Sequence, residues 1–145
     1  MRKLLDNLPA LAVALFLVGG VAVIIGKMTD GGGSEAVAAV EMPSSLTAAA
    51  ARGQLSFDEN CAACHGANGA GTDQGPPLIH DIYNPGHHAD AAFIRAAAQG
   101  VPRHHWSFGD MPPQPQVSER EVKDIIAFIR EVQQENGITY RPHRM

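Results

Sequence analysis

Cys61-Ala62-Ala63-Cys64-His65 is the stretch on which the rest of the sequence turns. Two thiols three residues apart sit on one turn of a helix and face the same side, and the imidazole follows directly after them. These are the only two cysteines in 145 residues. That excludes a disulfide framework, and two thiolates leave a structural zinc site short of ligands unless other well-spaced groups complete it. A thioredoxin-like redox pair needs a strand-helix-strand setting, and no alternating apolar run flanks the motif.

The C-x-x-C-H order matches the attachment sequence of a c-type haem. Both thiols form thioethers to one macrocycle there, and the adjacent imidazole comes to lie beneath the iron.

Outward from the motif the pattern is helical. Thr47 is placed to cap a helix running from Ala48 towards Asn60, with Gly53, Phe57 and Cys61 at four-residue spacing on one face. Gly53 costs about 1 kcal/mol against Ala inside a helix, which marks close approach of another element. A second helix is expected from Asp90 as its cap to Gly100 as its C-terminal glycine. A third opens with the capping box Ser118/Glu121 and the staple pair Val117/Val122. Its apolar stripe is Val122, Ile125, Ile126, Ile129 and Val132, and Asn136-Gly137 ends it. The connections 66–88 and 101–116 are rich in Gly, Pro and His. Connections that long in a small all-helical domain are commonly there to wrap a ligand.

The N-terminal part is a different object. No charged residue occurs from Asn7 to Gly26. Twenty such residues in a helix rise about 30 Å, the thickness of a bilayer's hydrocarbon core. The run exceeds a signal h-region and no small-residue cleavage pattern follows promptly, so residues 1–28 are expected to be a retained anchor or uncleaved signal. Arg2 and Lys3 precede it, which keeps the N-terminus in the cytoplasm and exports the remainder. Residues 29–46, including Gly31-Gly32-Gly33-Ser34, are expected to be a flexible linker. Residues 47–137 form the domain, and 138–145 a C-terminal tail. Residues 29–145 carry eight Lys or Arg against fourteen Asp or Glu, a balance of −6 that argues against a nucleic-acid surface. Aromatic residues are only 6% of the chain, so a bound apolar group has core space to fill.

A candidate sixth ligand is Met111, in Phe108-Gly109-Asp110-Met111-Pro112-Pro113. Pro112 restricts the residue before it, so this loop holds a thioether at little entropic cost. His80, His87, His88, His104 and His105 are rival imidazole ligands, each otherwise read as a surface or hydrogen-bonding residue.

Together these features resemble class I cytochromes c of the short bacterial type, over residues 47–137. The resemblance rests on Gly53 and Phe57 ahead of the C-x-x-C-H, on Gly75-Pro76-Pro77-Leu78, on Met111-Pro112, and on Ile125-Ile126-Ala127-Phe128-Ile129. It implies an all-α fold of three to four helices around one covalently bound haem c, preceded here by one transmembrane helix. It also implies axial ligands His65 and Met111, a Pro76 carbonyl that orients His65, and cofactor contacts at Leu78 and, less directly, Trp106. Gly53 would then make room for Phe128. The segments Pro85-Gly86-His87-His88 and Arg103-His104-His105-Trp106 carry more histidine than the resemblance requires. Solvated loop residues account for that excess, and a copper-binding role or a docking face near the haem edge is the sharper alternative.

The function expected is electron transfer, not enzymatic catalysis. A membrane-tethered carrier would pass single electrons between redox protein partners, with its domain on the periplasmic side of a bacterial inner membrane. Rival expectations are a haem enzyme or ligand sensor with a labile Met111, and a copper-handling module.

Overall fold

A computed structural model describes residues 39–142 together with Gly20. The chain divides into two units, Met1–Ala36 and Val37–Met145, and the second contains everything described below. Apart from Gly20, the expected transmembrane helix lies outside the described residues. Among the described residues no helix is long and apolar enough to cross a membrane.

Thr47 begins α1, Ala48–Asn60, and its hydroxyl accepts the Ala50 N–H at 3.3 Å. The same hydroxyl donates to the Glu131 carboxylate, which also accepts the Thr47 N–H. One residue therefore caps its own helix and ties it to a distant one. After Cys61 the chain makes the short α2, Ala62–His65, then a 3₁₀ turn at Ala67–Gly69 and another at Asp81–Tyr83. Helix α3 spans Asp90–Gln99 and α4 spans Glu119–Glu135. The described residues contain no strand, only the isolated antiparallel bridge between Val101 and Met111. The all-helical expectation is met by these four helices.

The capping box at Ser118 and Glu121 forms as expected. All five residues of the predicted α4 stripe are buried, at no more than 7% exposure. Ile125, Ile129 and Val132 share one core with Ala50 and Phe57 of α1, while Val122 and Ile126 face the cavity described below. Phe57 and Phe128 are both fully buried, with ring centroids 5.6 Å apart and planes tilted by 51°. Such a pair contributes about 0.5–1.5 kcal/mol beyond the area it buries.

Three expectations need correction. Gly53 does not make room for Phe128: a Cβ there would lie 1.9 Å from the Asp124 carbonyl oxygen and 2.3 Å from its carbon. The glycine admits the backbone of α4, and Arg52 fastens the crossing by pairing with Asp124 at 2.9 Å. Asp90 does not cap α3. Ala89 occupies that position, and the Asp90 carboxylate is engaged by Arg130 at 2.9 Å.

The third concerns the boundaries. Val40, Met42 and Leu46 pack on the core, and Glu41 exchanges two backbone hydrogen bonds with the Asn136 amide. At the other end Ile138 is buried, and Arg141 pairs with Asp81 at 2.8 Å. Short flanks of apolar and pairing residues therefore extend the folded unit beyond 47–137 in both directions. Residues 29–38 of the expected linker lie outside the described residues.

Candidate cofactor site

The site is a cavity of about 570 Å³ enclosed by the end of α1, the two long connections, α3 and the start of α4. Its size falls within the roughly 300–1,000 Å³ usual for small-molecule and cofactor sites. Cys61, His65, Pro76, Leu78, Trp106 and Met111, six of the residues singled out from sequence, line it together. Cys64 does not: its side chain is exposed and outside this lining.

His65 enters at the end of α2. Its Nδ1 lies 2.9 Å from the Pro76 carbonyl. A carbonyl only accepts, so Nδ1 carries the proton and Nε2 keeps its lone pair. Burial holds His65 below the usual imidazole range, and the Pro76 hydrogen bond opposes this only in part. The ring is therefore neutral at neutral pH, the form that ligates a metal. The connection closes back on the motif to make this contact. Gly71 N–H donates to the His65 carbonyl at 2.6 Å, and the Thr72 hydroxyl donates to that of Cys64 at 2.5 Å. Burial, followed by the neighbouring Cys64, pushes the Cys61 thiol up to about 11.

Met111 reaches the same cavity from the second long connection. Val101 and Met111 exchange both backbone hydrogen bonds at 2.9 Å, closing the base of the 102–110 loop. Inside the loop, Arg103 N–H donates to the Asp110 carboxylate at 2.9 Å. Gly100 is required at this corner: its φ is +76° and a Cβ would lie 2.5 Å from the Met111 carbonyl oxygen. Trp106 on the same loop donates from Nε1 to the Tyr83 hydroxyl at 3.1 Å and packs edge-on against His80 at 5.2 Å.

Several positioning residues escaped the sequence analysis. Arg130 on α4 donates to the carbonyls of Tyr83 and His88 while pairing with Asp90, and its guanidinium lies 4.9 Å from the Phe93 ring centroid. Gln133, fully buried, donates to the carbonyls of Leu78 at 2.9 Å and Tyr83 at 3.2 Å. These two polar side chains supply the hydrogen bonds that the irregular connection lacks internally. Gln133 falls four residues after Ile129 and so continues the apolar stripe of α4, and a polar residue at that place was the available signal. Tyr83 lines the cavity as well, and burial raises its pKa against the opposing Trp106 hydrogen bond.

The histidines divide by position. His87, His88, His104 and His105 line the same cavity, whereas His80 lies beside Trp106 outside that lining. Burial is the main cause of the lowered pKa of both His88 and His105, and the neighbouring imidazoles add to it.

The donor set fits a c-type haem. A neutral imidazole with a free Nε2, a thioether and a thiol open onto one largely apolar cavity. No curated protein and no solved structure matches the chain. The family model for cytochrome c matches residues 50–133, more than half of the chain. With Cys61 and Cys64 spaced as attachment requires, the chain belongs to the cytochrome c family and carries covalently attached haem c.

Proposed function

We propose that this cytochrome c is a single-electron carrier whose haem iron is held between His65 and Met111. Members of its family are generally electron carriers and not enzymes. The observation that carries the proposal is the convergence of His65 and Met111 on one cavity, each with its backbone or ring already fixed by the protein. Haem c supplies a one-electron iron couple, and Met/His ligation raises its potential relative to other axial pairs. The chain's own residues bind, orient and shield. Pro76 orients the His65 ring and increases its basicity through the Nδ1–H. The Val101 pairing fixes the backbone of Met111, and Leu78, Phe57 and Ile125 give the cavity apolar walls.

The cellular setting completes the proposal. Residues 1–28 anchor the protein in a bacterial inner membrane with the haem domain on the periplasmic side, which raises its effective concentration near membrane redox partners. The charge balance of −6 over residues 29–145 favours partners that present basic patches. The test is carbon monoxide binding to the reduced full-length protein. A carrier with both axial positions occupied binds it slowly or not at all; rapid saturable binding would instead assign a ligand sensor or haem enzyme. In the same preparation, deletion of residues 2–26 with a cleavable signal in their place is expected to release the haem protein from washed membranes. Retention in the membrane would refute the tether.

A further inference from the structure

Two pairs of adjacent histidines, His87-His88 and His104-His105, lie in different connections, one before α3 and one after it. The fold brings all four to one edge of the haem cavity. The His104 and His105 rings are 4.3 Å apart, His87 and His88 4.7 Å, and His88 and His105 5.2 Å. We propose that His87, His88 and His105 form a second metal site, for one late first-row divalent cation such as Cu(II) or Zn(II).

The geometry is close to a bound one. One ring nitrogen from each of the three lies within 4.8 Å of the others. With metal–nitrogen bonds of about 2.05 Å and tetrahedral angles, ligand nitrogens stand about 3.3 Å apart. His87 Nε2 and His105 Nε2 are already 3.2 Å apart. His105 is exposed, and no pair of these nitrogens need close by more than about 1.5 Å to reach that spacing.

A hydrogen bond to a backbone carbonyl prepares one of the ligands. His88 Nδ1 lies 2.7 Å from the Ile82 carbonyl, so Nδ1 carries the proton and Nε2 offers its lone pair. A metal-bound histidine is typically supported in this way. His104 is held likewise, with Nδ1 donating to the Pro102 carbonyl at 2.9 Å, and places a fourth imidazole beside the site. Imidazole-rich, thiolate-poor donor sets suit Cu(II) and Zn(II), with Cu(II) the tighter of the two. A cation here joins the 80–89 connection to the loop that ends at Met111. It therefore fastens the two halves of the cavity wall whichever residue ligates the haem iron.

The test is titration of the oxidised full-length holoprotein, first freed of loose metal by a chelator, with Cu(II) and separately with Zn(II). Calorimetry is expected to show one saturable site per chain, and Cu(II) electron paramagnetic resonance to show nitrogen ligation. His105→Ala changes an exposed side chain and is expected to weaken binding at least tenfold; His88→Gln is expected to do the same, and His80→Ala to leave affinity unchanged. Non-saturable binding, or full affinity in both His105→Ala and His88→Gln, overturns the proposal. So does a changed axial-ligand spectrum in metal-free His105→Ala, because the imidazole would then be serving the haem iron.

Discussion

Replacing Gly53 with Ala is the sharpest probe of how α1 and α4 are held. The added methyl would sit 1.9 Å from the Asp124 carbonyl oxygen, 2.3 Å from its carbon and 2.8 Å from the Ile125 nitrogen. Ordinary contact begins at 3.4 Å, so the two backbones must separate by 1.5 Å at their closest point. None of these atoms belongs to a flexible side chain, and the fully buried Phe57, Phe128 and Ile129 lie in the same core. Overpacking of this kind costs about 3 kcal/mol at the upper end of the usual range. The better helix propensity of Ala returns about 1 kcal/mol. The expected net loss is about 2 kcal/mol, read as a lower guanidinium midpoint for the holoprotein at unchanged slope. For a domain of this size that corresponds to a fall in Tm of roughly 8–16 °C. The partner of the clash is tested by adding Phe128→Leu. Because the obstacle is backbone, the second substitution is expected to add its own cost and rescue nothing. A Gly53→Ala protein within about 0.5 kcal/mol of the parent, a surface-like effect, would refute the reasoning. Rescue by Phe128→Leu would show that the glycine accommodates a ring after all.

Gln133→Leu keeps the volume of a buried side chain but takes the Gln133 donor from the Leu78 carbonyl and leaves the Tyr83 carbonyl with Arg130 as its side-chain donor. It is expected to cost about 1–3 kcal/mol in denaturant titration, and a neutral result would show that those carbonyls find other partners. Stability is also expected to fall with acid. Glu121 is held below its ordinary 4.5 by Ser118, and Asp124 below its ordinary 3.8 chiefly by Arg52. A depressed carboxylate contributes stability that is complete above its unfolded value and lost as pH falls through its folded one. The midpoint should therefore decline below about pH 4.5, and Ser118→Ala and Arg52→Ala should each flatten part of that decline; parallel profiles would contradict the assignment.

Much of this molecule was legible because its signals are local. Capping residues, a five-residue apolar stripe and a C-x-x-C-H need only neighbours in sequence, and α1, α4 and the attachment motif appear where those signals lie. The place of Met111 in the cavity lining was legible because Pro112 restricts the residue before it in a loop otherwise rich in Gly, Asp and Pro. What escaped depends on distant partners. Asp90 looked like a cap because nothing nearby revealed Arg130, forty residues on, as its partner. Gly53 signalled close approach without naming the atoms. Residues 40–46 looked like tether because their packing depends on Asn136 and the far end of α4. The meeting of His87-His88 with His104-His105 required the closed loop between Val101 and Met111, which no periodicity announces.

The central claim is that one haem c is held between His65 and Met111, and the visible spectrum of the oxidised full-length protein tests it most directly. The parent protein is expected to give a pyridine haemochrome of c type and a weak thioether-to-iron charge-transfer band. In Met111→Ala that band should vanish, the reduction potential should fall and the reduced protein should take up carbon monoxide readily. A parent lacking the band, or a Met111→Ala protein that keeps it with an unchanged potential, would contradict the account.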